Sequence, residues 1–136
     1  LCADGYEVAV KECPAQGRAL VLIDPPFEKA DDYRRCVEVM AQIGRRNPDA
    51  VVMVWLPLKD LETFDGFLRD AEDACCARLL VGETRMRPLT DPMKMNGCAL
   101  VLLRGPDAML EPLNDVCAWV AQTLGDGGRG QAWASS

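Results

Sequence analysis

Apolar residues along this chain fall into two rhythms, and the change between them is informative. Ala19-Leu20-Val21-Leu22-Ile23 is an unbroken apolar run with none of the alternation expected of a strand that has one wet face. It predicts a strand covered on both faces, and therefore a parallel sheet. Either Asp31 or Asp32 can cap the helix that follows, whose apolar positions Val37, Met40, Ala41 and Ile43 recur at helical spacing up to Gly44. A second buried strand is predicted from Ala50 to Leu56, stopped by Pro57. Leu61, Phe64, Phe67, Leu68 and Ala71 then mark an amphipathic helix from about Lys59 to Cys75.

Beyond these two strand-helix units the rhythm changes. The stretch from Ala77 to Arg87, with Leu79-Leu80-Val81, reads as a strand; a polar loop follows, and Cys98 to Leu103 reads as another strand. No helix fits between them, so the pair is expected to form an antiparallel hairpin with a long loop. A last helix from Leu110 to Leu124 carries Leu113, Val116, Cys117, Val120 and Leu124 on one face. The expected architecture is α/β, in the order β-α-β-α-β-β-α, with a mixed sheet and an antiparallel edge hairpin. Residues 1–124 are read as half of a domain. Residues 125–136 are read as a loose Gly-rich tail in which Trp133 alone can dock.

Composition narrows the chemistry. The 136 residues, 49% hydrophobic and 26% charged, suit one core and hardly two. No apolar run reaches membrane length and no basic leader is visible, so the expected compartment is the cytoplasm. Seven cysteines, an odd count without a Cys-x-x-Cys pair, are expected to be reduced thiols, and no metal site is expected. The chain has no histidine, which removes the commonest general base and the Ser/His and Cys/His nucleophile systems. A net charge of -6 argues against a general polyanion binder. Two local basic groups remain, Arg45-Arg46 and Arg85, Arg87 with Lys94, readable either as solvated charge or as contacts to a substrate phosphate.

In an open α/β sheet ligands sit beyond the carboxyl ends of the strands, and Asp24 is the first residue past such an end. Pro25 and Pro26 stiffen the loop and lack N–H groups, so their carbonyls face outward without internal partners. The Asp24 carboxylate and the Pro25 carbonyl can together grip a planar amine, and Phe27 offers a face for a base.

Asp24-Pro25-Pro26-Phe27 resembles the [DNS]-P-P-[YFW] signature of S-adenosylmethionine-dependent amino methyltransferases, and the element order resembles the second half of their Rossmann-like domain. Taken with Asp4-Gly5 about twenty residues upstream, Leu56-Pro57, and the strand "MNGCALVLL", the chain resembles the RlmJ family of bacterial 23S ribosomal RNA adenine-N6 methyltransferases. That resemblance implies N6-methylation of an adenine in 23S ribosomal RNA, protein-free or in an early precursor, with S-adenosyl-L-methionine as cofactor. It places Asp4 and Gly5 beside the cofactor's adenine and Asp24 beside both its methionine part and the target amine, with Asp24, Pro25, Pro26 and Phe27 as the catalytic motif. Phe27 stands where the family usually has Tyr, and "LLRGPD" from Leu102 replaces an Asn-Pro-Pro-Trp-like stretch. No glycine-rich cofactor loop is found; Gly125-Asp126-Gly127-Gly128-Arg129-Gly130 follows a helix instead of preceding one. The chain is accordingly expected to be the C-terminal half of a longer protein. The alternatives are a DNA adenine or other amino methyltransferase, or a non-catalytic binding module derived from the fold.

Overall fold

A five-stranded mixed sheet organises the chain, seen in a computed structural model that describes residues 2–135. The elements run α1 (Gly5–Glu12), β1 (Ala19–Ile23), α2 (Asp32–Arg46), β2 (Ala50–Leu58), α3 (Leu61–Cys75), β3 (Leu79–Arg85), β4 (Gly97–Leu103), a 3₁₀ turn (Asp107–Met109), α4 (Leu110–Leu124) and β5 (Arg129–Ala134). Strand order is β1-β2-β4-β3-β5. β1 and β2 are parallel through Ala19↔Ala50 to Ile23↔Val54, whereas β4 runs antiparallel to both β2 and β3. β1, β2 and β3 therefore share one direction, and their carboxyl ends meet along one edge of the sheet.

That alternation of strand and helix yields an α/β mixed sheet with an antiparallel hairpin, as the sequence pattern predicts. Several details differ. Asp4 accepts from the amides of Tyr6 at 2.9 Å and Glu7 at 3.5 Å, and so starts a two-turn helix, α1, that the weak apolar pattern of residues 5–12 did not announce. β2 continues through Pro57 to Leu58, because the chain changes from pairing with β1 on one side to pairing with β4 through Pro57↔Cys98. Neither Asp31 nor Asp32 caps α2 in the expected way. Asp31, at the cap position, makes no side-chain cap bond, and Asp32 instead receives the Lys29 amide at 3.0 Å.

The largest correction concerns residues 125–136. Arg129–Ala134 is not loose: it pairs antiparallel with β3 from Arg85↔Arg129 to Leu80↔Ala134, and so lies outside the hairpin. Two close approaches require glycine there, since a Cβ on Gly128 would strike the Arg85 carbonyl and one on Gly130 the Cys117 backbone. Gly127, at φ +68°, makes the turn into the strand. Trp133 packs against the main core.

Helices α2 and α3 bury one face of the sheet. Met40 and Ile43 of α2 and Phe64, Phe67 and Ala71 of α3 pack on Val52, Val54, Leu56, Val101 and Leu103. On the opposite face α4 covers only the β3 side, through Leu113 and Cys117 against Leu80 and Leu102. β1 is left with one free edge and one open face. Leu20 is 67% and Leu22 61% exposed, against the expectation of cover on both sides. Leu20 and Leu22 thus form an exposed apolar strip on the face of β1 that the described residues leave uncovered.

Candidate active site

The carboxyl edge of β1 carries the Asp-Pro-Pro-Phe loop. Asp24 follows directly on Ile23, the last residue of β1, and is exposed, while Pro25 is half-buried. Facing it are the first turn of α1 and the side of β1: Gly5, Tyr6, Ala9, Leu22, Ile23, Asp24, Pro25 and Pro26 line a cleft of about 270 Å³. The sheet and α1 thus bring Gly5 and Asp24 together although nineteen positions separate them in sequence.

Asp4 is placed differently. It lines the neighbouring groove with Pro25, Pro26, Lys29, Asp32 and Arg35, and both of its oxygens are engaged. Oδ1 caps α1, and Oδ2 accepts from the Arg35 guanidinium at 2.6 Å. The Arg35 bond holds the Asp4 carboxyl below the usual range. Its structural work is clear from these bonds: it fixes the start of α1, and with it the position of Gly5 and Tyr6 in the cleft.

Phe27 sits at φ +51°, an uncommon conformation for a residue with a side chain. Its ring is half-buried, 4.8 Å from the Tyr33 ring and 6.4 Å from that of Trp55. The loop is thus anchored on an aromatic cluster at the end of β1 and β2.

Tyr6 and Arg35, which the sequence reading left aside, and Asp32, expected there only as a helix cap, join α1, α2 and the loop. The Tyr6 hydroxyl donates to Asp32 Oδ1 at 2.9 Å, the Lys29 amide donates to Asp32 Oδ2, and Asp32 is only 3% exposed. Arg35, one turn later on α2, lies 4.2 Å over the Tyr6 ring while it holds Asp4. Burial, with the Asp32 bond next, drives the Tyr6 phenol above its usual range, and burial lifts the neighbouring Cys36 thiol to about 11. The signal available in sequence was the one-turn spacing of Asp32 and Arg35 on an otherwise apolar helix face.

The two basic groups separate. Arg85 ends β3, and Arg87 and Lys94 lie in the loop between β3 and β4, all at the same sheet edge as Asp24. Arg45 and Arg46 close α2 at the opposite edge, where Arg46 Nε donates to the Cys13 carbonyl at 2.8 Å. α2 runs back across the sheet to the edge where β2 starts, parallel to β1, at Ala50, and this places Arg45-Arg46 away from the loop. Among the described residues no cluster of three potential metal ligands exists, and no helix is long and apolar enough to cross a membrane.

An α/β sheet with a carboxylate on a double-proline loop at the carboxyl ends of its parallel strands is arranged as in a Rossmann-like methyltransferase half. Comparison with known proteins agrees. The family model described as "Ribosomal RNA large subunit methyltransferase D, RlmJ" matches residues 1–135, and the chain belongs to this family. It is 27% identical over 134 residues to the ribosomal RNA large subunit methyltransferase J of Escherichia coli, covering 98% of this chain and 48% of that one. Against the Haemophilus influenzae protein of the same name it is 25% identical over 130 residues, with 95% and 46% covered. A crystal structure from Legionella pneumophila superposes with a TM-score of 0.78 at 19% identity, over 98% of this chain and 49% of that one, and supports the fold. The chain spans about half the length of the relatives it matches.

Proposed function

We propose that this chain is the C-terminal half of a methyltransferase that transfers a methyl group from S-adenosyl-L-methionine to the N6 amine of an adenine in 23S ribosomal RNA. The observation that carries the proposal is the Asp24-Pro25-Pro26 loop, exposed at the carboxyl edge of β1 and facing Gly5 across one cleft. The half-domain reading is supported by the free edge of β1, by the exposure of Leu20 and Leu22, and by a cleft of about 270 Å³, below the roughly 300–1,000 Å³ of complete ligand sites.

The residues present suit part of the cofactor. Ala9, Leu22, Ile23 and Pro25 offer an apolar wall for its adenosine, and the Asp24 carboxylate complements a cationic sulfonium. When bound, S-adenosylmethionine would supply an electrophilic methyl group, its S–C bond breaking as the N6–C bond forms so that a neutral thioether leaves, while the proton lost from N6 would pass to the Asp24 carboxylate and on to solvent. Asp24 and the Pro25 carbonyl each accept one N–H of the target amine. These two bonds draw electron density toward the nitrogen and favour a tetrahedral geometry, freeing a lone pair that is otherwise delocalised into the ring. Holding the amine in line with the methyl group also removes orientational entropy; effective molarities for well-held pairs reach on the order of 10⁵ M or more. Phe27, half-buried against Tyr33 and Trp55 next to the cleft, ends the loop and would stack on the extruded base.

The test is methylation by the full-length protein of 23S ribosomal RNA prepared without the modification, with the product digested to nucleosides. N6-methyladenosine in the RNA is the expected outcome. Methylation of duplex DNA alone would move the activity to the other adenine substrate, and absence of transfer to either would leave a binding module.

A further inference from the structure

Beyond the methyl-transfer site, and resting on the RNA substrate proposed above, we infer that Arg87 and Arg129 form a phosphate-binding cleft for the RNA backbone on the same sheet edge as Asp24. Three observations carry it. The first is position. Arg129 opens β5 directly opposite Arg85, the last residue of β3, and β3 ends on the edge where β1 delivers Asp24. At about 4.8 Å per strand, β3 lies about 14 Å from β1 and β5 about 19 Å. A nucleotide held at Asp24 therefore has its chain neighbours within reach of these arginines.

The second is shape. Arg85, Arg87, Pro88, Gly127, Gly128 and Arg129 line a cleft of about 280 Å³. Its backbone is held in place: the Arg87 amide donates to the Asn96 carbonyl at 3.1 Å, and the Asp126 amide to the Met86 carbonyl at 2.8 Å. Asn96, 1% exposed, ties this loop to the end of β2 through its side-chain amide, which donates to the Lys59 carbonyl at 2.9 Å. The glycines let the turn of residues 125–128 lie directly on the β3 backbone, which a side chain at Gly128 would prevent.

The third is charge. In a chain of net charge -6, two exposed arginines that have no carboxylate partner among the described residues line this one cleft. Arg85 differs: its Nε is paired with Glu83, which is 2% exposed, so Arg85 is held in place with its charge balanced. Lys94 lies 3.9 Å from Asp91 and is likewise partly balanced. The uncommitted forks of Arg87 and Arg129 fit phosphodiester oxygens, which accept paired N–H bonds from a planar guanidinium.

The test measures dissociation constants of the full-length protein for an unmodified 23S ribosomal RNA fragment over a series of KCl concentrations. It compares the parent, the double variant Arg87→Gln/Arg129→Gln, and Arg45→Gln on the opposite edge. The double variant is expected to bind about 10-fold or more weakly at low salt. Its log–log salt slope should be shallower by about 1.4, at roughly 0.7 for each phosphate contact to a single strand. Arg45→Gln should keep the parental slope. A double variant with parental affinity and slope, in a protein that still methylates the RNA, overturns the cleft and leaves the methyltransferase reading standing. A parent that neither binds nor methylates the RNA overturns both.

Discussion

Replacing Asp32 tests how α1, α2 and the Asp-Pro-Pro-Phe loop are held in one arrangement. Its carboxylate is nearly inaccessible and takes two donors, the Tyr6 hydroxyl at 2.9 Å and the Lys29 amide at 3.0 Å. Hydrogen bonds to a charged acceptor are worth about 1.5–3 kcal/mol each, and a buried donor left alone costs about as much. Lys29 is exposed, so water recovers part of its loss. Asp32→Ala should therefore destabilise the full-length protein by about 3–4 kcal/mol, and Tyr6→Phe, which leaves the Lys29 bond intact, by about 1–2 kcal/mol. The double variant should cost little more than Asp32→Ala alone, giving a coupling energy of about 1–2 kcal/mol. Urea unfolding provides these values, and a cofactor titration of the folded variants reports the second consequence. With α1 released, Gly5 and Tyr6 drift from Pro25 and cofactor affinity falls, whereas Asp32→Asn, which keeps an acceptor oxygen, recovers part of it. Asp32→Ala within about 0.5 kcal/mol of the parent, or additive single variants, would refute the latch.

Other consequences follow from burial, close approach and open surface. The Cys36 thiol, raised by burial to about 11 from an ordinary 9, stays protonated in the native state while the unfolded chain releases its proton. The Cys36 contribution to stability should thus fall as pH rises from 9 to 11, by at most about 3 kcal/mol, on top of the losses from the other groups raised in the folded state, Tyr6 among them; alkaline unfolding of Cys36→Ala should show a smaller fall across that window than the parent. Gly97→Ala should cost at least about 2 kcal/mol because its Cβ would strike the Thr84 carbonyl across the β3–β4 pair. Gly66→Ala, inside α3 with open space around it, should stabilise by about 0.5–1 kcal/mol; thermal unfolding compares the two signs directly. The 136-residue chain expressed alone should bind S-adenosylmethionine no more tightly than about millimolar, whereas micromolar binding measured by calorimetry would show that the cleft is complete without an upstream half.

The parts of the fold that could be read in the sequence are those where one local rule acted alone. The run Ala50 to Leu56 and the helical spacing of Phe64, Phe67 and Ala71 needed only burial against the sheet, and they appear where the pattern puts them. β5 could not be read in this way, because Gly125-Asp126-Gly127-Gly128-Arg129-Gly130 has turn composition. Its strand exists because glycines allow the backbone to lie on β3 and α4, a tertiary reason that propensity does not record. β1 shows the converse. Its unbroken apolar run predicted two covered faces, and the described residues cover one, leaving Leu20 and Leu22 exposed. In the site, Asp24 and its prolines stood out because a rigid polar stop after an apolar strand has few structural uses. Tyr6, Asp32 and Arg35 did not, since each is an ordinary helix residue until folding brings α1 onto α2.

The central claim is that the Asp24 carboxylate aligns and activates the amine that receives the methyl group. Single-turnover methyl transfer from labelled cofactor to unmodified 23S ribosomal RNA, run with full-length parent, Asp24→Asn and Asp24→Ala, tests it most directly. Asp24 is exposed at the end of β1, so its replacement should leave folding and RNA affinity close to parental. Losing one preorganised group of this kind costs about 3–4 kcal/mol in the barrier. The account predicts that Asp24→Ala transfers about 10²- to 10³-fold more slowly, with Asp24→Asn in between because it keeps one acceptor oxygen. Transfer by Asp24→Ala within about threefold of the parental rate would contradict the account.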